Sequence, residues 1–149
     1  MKPSPRVDYD AIAHLYDTQP YREKTVDPEL VAFLEQHASA ETLSVLDIGC
    51  GTGNQLVANR PLVPHAHLVG LDRFLGMLRQ ARSKAPGIAW AQADGGALLW
   101  QVQSFDFVRA LIALSQEQLC STVSPGRDFH CWTVWANRAI KSCATGGSN

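Results

Sequence analysis

A glycine-rich turn directly behind an apolar run constrains the fold of this chain more than any other feature of its sequence. The segment VLDIGCGTG places Gly49, Gly51 and Gly53 at alternate positions, immediately after the apolar run LSVLDI. Glycine tolerates backbone conformations that other residues avoid, and the absence of a Cβ lets a ligand approach the main chain closely. A buried strand that runs through such a turn into a helix is typical of sheets that bind nucleotides at their carboxyl edge.

Strand and helix patterns alternate along the chain as far as about residue 111. Strands are predicted for LSVLDI, HLVGLD, IAWAQAD and SFDFVRAL. Helices are predicted for DYDAIAHLYD, for DPELVAFLEQHA behind the cap Asp27, for about residues 53–60 and for FLGMLRQARSKA. Strand–helix units of about 20 to 25 residues predict a parallel sheet with right-handed crossovers. We therefore expect an α/β fold, a Rossmann-like parallel sheet with flanking helices.

The composition argues against several classes of partner. The 149 residues carry a net charge of −1, so they provide no field that would attract nucleic acid or an anionic membrane. No apolar run reaches the roughly 18 residues that span a bilayer. The four cysteines contain no CxxC pair, which favours reduced thiols over a zinc site. We expect a cytoplasmic protein without a metal and without a nucleic-acid partner.

Three features follow the ends of consecutive predicted strands, where open α/β sheets bind their ligands. The glycine turn follows the first strand, Asp72 closes the second, and Asp94 lies just past the third. The Asp72 carboxylate could accept hydrogen bonds from the two hydroxyls of a ribose, and Asp94 one from the exocyclic amine of adenine. The structural alternatives are that Asp72 caps the next helix and that Asp94 only forms a turn.

The glycine spacing distinguishes between two cofactors that contain adenosine. The dinucleotide fingerprint GxGxxG would require glycine at position 54, where this chain has Asn54. The pattern here is DxGxGxG, with Asp47 two residues before the first glycine. This acid would repel a pyrophosphate but attract a ligand with an ammonium and a sulfonium group. The residues favour S-adenosylmethionine over NAD.

With these motifs the chain resembles the class I S-adenosylmethionine-dependent methyltransferases, closest to the small-molecule branch with ubiquinone/menaquinone-type and arsenite-type enzymes. The resemblance covers about residues 9 to 108 and depends on VLDIGCGTG, GLDRFLGML, AQADGGALLW and SFDFV. It implies S-adenosylmethionine as the cofactor and an unidentified small molecule as the methyl acceptor. It implies no particular catalytic residue, because the cofactor supplies its own activated leaving group.

Carried over by position, the resemblance implies a set of cofactor-binding residues and a lid. The implied cofactor-binding residues are Asp47, Gly49, Cys50, Gly51, Gly53, Asp72, Arg73, Phe74, Met77, Asp94 and Gly95. Cys50 is expected to be exposed to the loop, and Met77 has the alternative of a core residue. The amino-terminal helix resembles the family's cofactor-covering helix, so Tyr16, Asp17 and Tyr21 are lid candidates, with ordinary packing as the alternative.

The resemblance ends after Val108. We expect an incomplete cofactor-binding domain over residues 1–115 and a divergent tail over residues 116–149, in which the remainder of the fold is missing or replaced by irregular structure. Such a chain would be a splice variant, a frameshifted product or a fragment. Within the tail, DFHCWTVWANRAI has the alternation of one more strand.

An incomplete sheet would leave the fourth strand with an open edge. The tail, a protein partner or self-association would have to cover that edge. Three functions therefore remain open. The first is a methyltransferase, and the second is a non-catalytic product that binds the cofactor or another protein. The third is an NAD-dependent oxidoreductase domain, which Asn54 argues against.

Overall fold

The computed structural model describes residues 7–36, 43–94, 105–110, 130–135 and 138–140. Within these residues, six strands form one sheet in the order β3-β2-β1-β4-β5-β6. The strands are β1 (Ser44–Ile48), β2 (His67–Asp72), β3 (Ala89–Gln92), β4 (Phe107–Ala110), β5 (His130–Trp135) and β6 (Arg138–Ile140). Strands β1 to β4 pair in parallel, as the alternation of patterns predicted. The α/β, Rossmann-like class is therefore confirmed.

Four α-helices of the described chain also lie where the sequence predicts them. They are α1 (Tyr9–Tyr16), α2 (Pro28–Gln36), α3 (Asn54–Asn59) and α4 (Leu75–Lys84), and a 3₁₀ turn covers Pro20–Arg22. Asp8 caps α1 by accepting a hydrogen bond from the N–H of Ala11 at 3.2 Å. Asp27 accepts from the N–H of Glu29 at 3.0 Å, with Pro28 in the first helical position. Local capping chemistry therefore sets where α1 and α2 begin.

The two faces of the sheet carry separate apolar clusters. Alternate residues of β1 belong to different clusters, Val45 to one and Leu46 to the other. The first cluster also includes Leu30 and Phe33 from α2, and the ring of Phe33 lies 5.5 Å from that of Phe107. Such burial on both faces is expected for the central strands of a parallel sheet. The core therefore fixes the carboxyl ends of β1, β2 and β4 relative to one another.

The sheet continues into the segment for which the sequence predicted a divergent tail. Strand β5 pairs in parallel with β4, from Phe107 opposite His130 to Ala110 opposite Thr133, and β6 pairs antiparallel with β5. The alternation in DFHCWTVW is thereby confirmed as a strand. Of the three ways to cover the edge of β4, the structure shows the chain's own tail, with β5 paired along β4.

The described residues show neither a membrane-spanning helix nor a cluster of metal ligands. None of the helices there is long and apolar enough to cross a membrane. In the same part of the chain, no three histidine, cysteine or acidic side chains are grouped so that they could hold a metal ion.

Candidate functional site

The glycine turn between β1 and α3 forms a loop over the end of β2. Gly49, Gly51 and Gly53 all have left-handed backbones, with φ of 74°, 57° and 78°. The N–H groups of Gly49 and Cys50 both donate to the carbonyl of Leu71, at 2.7 and 2.9 Å. A Cβ added to Gly51 would meet no heavy atom within 4 Å. The backbone of this loop at Gly51 therefore faces open space that a ligand can enter.

Gly53 has a second, structural reason to be glycine. A Cβ at this position would lie 2.3 Å from the ring of Trp90, and one at Gly70 would lie 2.5 Å from the same ring. The Trp90 indole donates to the carbonyl of Ala85 at 2.9 Å, which fixes the ring beneath the loop. Gly53 therefore allows the loop to sit directly on a buried aromatic side chain.

Asp72 connects the end of β2 to the glycine loop. Its Oδ2 accepts a hydrogen bond from the N–H of Gly51 at 2.8 Å, and its Oδ1 accepts one from the N–H of Phe74 at 2.9 Å. The bond to Phe74 corresponds to the structural alternative, a carboxylate at the start of α4. Because each carboxylate oxygen can accept two hydrogen bonds, Asp72 retains capacity for a ligand. The sequence-predicted residues Gly51 and Asp72 are thus in direct contact beside the open space at Gly51, and we call this space the hollow.

Asp47 is not at the surface of that hollow. Its side chain is 1% exposed and lies behind Arg109, whose Nη1 is 3.3 Å from Asp47 Oδ1. The same guanidinium approaches Asp27, with Nε 3.0 Å from Oδ2. Burial raises the pKa of Asp47 to about 6, although Arg109 acts to lower it. Asp47 is therefore paired with Arg109. The guanidinium of Arg109 lies between the carboxylate of Asp47 and that of Asp27 at the start of α2.

Arg109 was not predicted from the sequence, and Asp27 was predicted only as a cap. The available signal was a single charged residue inside the apolar run FVRAL. Its meaning depends on the register of β1 and β4, which places Arg109 directly opposite Asp47. Arg109 and Asp27 also line a cavity of about 300 Å³, together with other residues of the segment 23–29 and Gln55. This lining places the cavity at the start of α2.

Asp17 joins the amino-terminal helix to the glycine loop. Its Oδ1 accepts from Thr52 Oγ1 at 2.6 Å and from Asn54 Nδ2 at 2.8 Å, and its Oδ2 lies 2.5 Å from Lys84 Nζ. Burial acts to raise the pKa of Asp17, but the hydrogen bonds from these three partners outweigh it and leave the pKa lowered. Asn54, which stands where a dinucleotide fingerprint would have glycine, thus binds the helix above it.

The two lid candidates around Arg22 differ in exposure. The Arg22 guanidinium lies 3.9 Å above the ring of Tyr16 and 4.7 Å from the ring of Tyr21, and it donates to the Tyr16 hydroxyl at 2.6 Å. Burial raises the pKa of the Tyr16 phenol, against the influence of Arg22. Tyr21 is 65% exposed. The structure therefore brings Asp17 onto the loop, half-buries Tyr16 next to it and leaves Tyr21 at the surface.

The remaining sequence-predicted residues are distributed unevenly. Arg73 and Asp94 are exposed, and the guanidinium of Arg73 lies 5.4 Å from the ring of Phe74. Met77 is buried, as its core alternative predicts. The expectation that Cys50 is exposed to the loop is wrong, because its side chain points into the core beside Trp90, where burial raises the pKa of the thiol. Gly95 lies outside the described residues.

Comparisons with known proteins bear on the family and the fold of this chain. A family model described as a methyltransferase domain matches residues 45–124, more than half of the 149 residues. The trans-aconitate 2-methyltransferase of Methylobacterium nodulans is 44% identical over 54 residues, which are 36% of this chain and 21% of that protein. The malonyl-[acyl-carrier protein] O-methyltransferase of Xylella fastidiosa is 30% identical over 77 residues, 52% of this chain and 26% of that protein. The chain thus spans about a quarter or less of these curated relatives.

Solved structures share the fold. DesVI of Streptomyces venezuelae aligns with a TM-score of 0.56 at 20% identity, over 87% of this chain and 58% of that one. Phosphoethanolamine N-methyltransferase 2 of Haemonchus contortus, solved with S-adenosylhomocysteine, aligns with a TM-score of 0.55 at 20% identity, over 71% of this chain and 27% of that one. Since the family model covers more than half of the sequence, this chain belongs to the methyltransferase domain family, among the class I S-adenosylmethionine-dependent methyltransferases.

Proposed function

We propose that this chain binds S-adenosylmethionine between the glycine loop and Asp72 and takes part in methyl transfer to a small molecule. One observation carries the proposal. The backbone at Gly51 faces open space, and the same N–H group that borders this space is hydrogen-bonded to Asp72. A nucleoside would therefore meet bare backbone and a carboxylate side by side, which is the combination that ribose recognition requires.

The residues around the hollow fit the two ends of the cofactor. The spare lone pairs of Asp72 would accept the ribose hydroxyls, and Asp94 would lie towards the adenine. The cavity beside Arg109 is lined by three acidic and two basic side chains, so it carries a negative net charge. That charge, together with the Asp47 carboxylate, favours the cationic amino-acid end of the cofactor over a pyrophosphate. Arg73, Phe74 and Gly95 remain proposed contacts, on the family resemblance alone.

The chain's own part in the reaction is alignment. Methyl transfer from a sulfonium is an in-line displacement, and the cofactor supplies the activated methyl group. A loop held by Leu71, Asp72 and Trp90 would keep the bound nucleoside in one orientation, which removes the entropic cost of alignment at the moment of reaction. Asp17 and Tyr16 would cover the ligand from the amino-terminal side and exclude water. These residues bind and orient, and none of them needs to transfer a proton.

The acceptor is proposed as a small molecule, with carboxylic acids as the first class to test. The names of two relatives give trans-aconitate and malonyl-[acyl-carrier protein] as their substrates, and both compounds carry carboxylates. Because the chain spans about a quarter or less of those relatives, a second candidate is a non-catalytic product that only binds the cofactor. We retain the division into a cofactor-binding domain over 1–115 and a tail over 116–149 as part of this proposal.

Calorimetric titration tests the proposal directly. S-adenosylhomocysteine should bind, and Asp72→Ala should weaken it at least tenfold, because the variant removes the ribose acceptor and the support of Gly51. Glu35→Ala, which removes an exposed acid on α2, is the matched control and should leave the affinity unchanged. Binding of NADH alone would overturn the proposal in favour of an oxidoreductase. Transfer of labelled methyl to an acid library would then separate the enzyme from the non-catalytic candidate.

A further inference from the structure

An arginine stands inside a strand that is otherwise entirely apolar. All four residues of β4 are buried, and Arg109 is 8% exposed. Its partners are the carboxylates of Asp27 at the start of α2 and of Asp47 in β1, which it meets through Nε and Nη1 respectively. An isolated buried cation is strongly unfavourable, and so is an isolated buried carboxylate. Arg109 therefore helps to determine whether the neighbouring carboxyl group of Asp47 is ionised.

The surroundings of Asp47 make its ionised form depend on this one cation. Asp27 from α2 and Asp72 from β2 both disfavour a negative charge on Asp47, as does burial. Cys50 from the loop faces the same region as a buried, neutral thiol. Among the charged groups that act on Asp47 in the described chain, Arg109 is the one that stabilises the carboxylate. Without it, the buried Asp47 would hold its proton at neutral pH.

We propose that Arg109 is a positioning residue that keeps Asp47 ionised and turned towards β4, so that β1 ends in a fixed negative charge beneath the glycine loop. Its effect on ligands builds on the proposed function. A charge there favours a nucleoside that carries an ammonium group over one that lacks it, because a buried pair interacts with little screening. Arg109 thus acts on the ligand through the charge state of Asp47, which sets the preference for the complete amino-acid end, without touching the reacting atoms.

The two-point contact explains why arginine serves here. The planar guanidinium reaches Asp27 and Asp47 from different nitrogens, with a charge contact to Asp27 through Nε and a hydrogen bond to Asp47 through Nη1. A lysine would carry the same charge on one nitrogen. Arg109→Lys should therefore preserve most of the effect on Asp47, and Arg109→Gln should abolish it.

The first experiment needs no ligand. The carboxyl carbon of Asp47 is followed by ¹³C NMR against pH, with Asp47→Asn used to assign the signal. We expect a midpoint near pH 6 in the wild type, an upward shift of at least one pH unit in Arg109→Gln, and a smaller shift in Arg109→Lys. Arg79→Gln, which removes an exposed arginine on α4, should leave the midpoint in place. An unchanged midpoint in Arg109→Gln would overturn the proposal.

The second experiment compares two ligands that differ in the amino-acid end. At pH 7.5, Asp47→Asn should weaken S-adenosylhomocysteine about tenfold relative to 5′-methylthioadenosine, because loss of one charge interaction of about one pK unit corresponds to a factor of ten. Arg109→Gln should change this ratio less, because it removes a cation together with the charge of Asp47. An unchanged ratio in Asp47→Asn, or a ratio that moves in favour of S-adenosylhomocysteine, would refute the inferred role.

These experiments separate failure of the inference from failure of the proposed function. If neither nucleoside binds the wild type, the proposed function is wrong, and the NMR titration still decides the role of Arg109. If Arg109→Gln does not fold, the double variant with Asp47→Asn is the substitute. The double variant should regain a cooperative thermal transition at neutral pH, because it replaces Asp47, which without Arg109 could be buried only in its protonated form. A double variant that is no more stable than the single one would contradict the inference.

Discussion

The two glycines of the loop at positions 51 and 53 should respond differently to the same substitution. Alanine at either position must adopt a left-handed backbone, which costs about 1–2 kcal/mol. At Gly51 the new methyl group meets no atom within 4 Å, so the total stays at about 1–2 kcal/mol. At Gly53 it would lie 2.3 and 2.8 Å from ring atoms of Trp90 and 3.2 Å from the Cβ of Ala81. Overpacking of that kind adds about 1–3 kcal/mol, so Gly53→Ala should lose about 2–5 kcal/mol.

Urea unfolding monitored by circular dichroism measures this difference. Gly87→Ala is the matched control, because its Cβ would also meet nothing within 4 Å and its backbone is not left-handed. This control should be neutral or slightly stabilising, by up to about 1 kcal/mol. In a Trp90→Leu background the penalty of Gly53→Ala should shrink towards that of Gly51→Ala. Equal penalties at Gly51 and Gly53 in the wild-type background would refute the packing argument.

Gly53→Ala should lose more stability, but Gly51→Ala should lose more ligand affinity. Gly51→Ala places a methyl group in the open space of the loop, so it should lower the affinity for S-adenosylhomocysteine while the fold survives. Gly53→Ala, measured at a temperature where it is folded, should bind more nearly as the wild type does. Isothermal titration of both variants checks this. A Gly51→Ala variant with undiminished affinity would show that the ligand does not approach the main chain at that residue.

Three further predictions concern the polar contacts around the site. Relative to Asp47→Asn, the wild type should lose about 2 kcal/mol of unfolding free energy as the pH rises from 4.5 to 7.5 in urea titrations, because a pKa raised from 3.8 to about 6 favours the protonated folded state; a constant difference would contradict this. Asp17→Ala should lower the free energy of unfolding by about 1–3 kcal/mol, because Thr52 loses its acceptor, whereas Lys84→Ala should lower it by less than about 1 kcal/mol, because its ion pair with Asp17 is partly exposed. Limited proteolysis of the amino-terminal segment should be faster in Asp17→Ala, and equal effects of the two variants would argue against the importance of the Thr52–Asp17 hydrogen bond. Asn59→Ala should cost at least about 2 kcal/mol by thermal unfolding, since two buried donors lose their acceptor, and a smaller loss would point to water in their place.

The sequence predicted those parts of the fold that depend on neighbouring residues. Strand β2 and the starts of α1 and α2 follow from local apolar runs and capping acids such as Asp8 and Asp27. The hollow was predictable because parallel strands present their carboxyl ends at one edge, which brings Gly51 and Asp72 together across 21 positions. The fold class and the loop could therefore be predicted without any knowledge of side-chain contacts.

The parts that the sequence did not predict depend on register and on side-chain direction. Arg109 is opposite Asp47 only because β4 pairs with β1 at one particular offset. A loop position does not tell which way a side chain points, and for this reason Cys50 was expected at the surface but lies in the core. The alternation of residues 129–135 was visible, but its pairing with β4 required the sheet itself. Long-range pairing therefore marks the boundary of the sequence-based prediction.

The two walls of the site are held with different strength, and this determines how a ligand can enter. The glycine loop is fixed by hydrogen bonds to Leu71 and Asp72 and rests on the buried Trp90. The opposite wall, α1, exposes Ile12 and Leu15, and much of its attachment is through partly exposed contacts, the hydrogen bonds of Asp10 and Asp17 and the ring contact of Tyr9 with Phe74. Exposed ion pairs contribute about 1 kcal/mol or less, and elements with few buried apolar contacts open first. A nucleoside would therefore enter by displacement of α1 from a loop that already has its binding geometry.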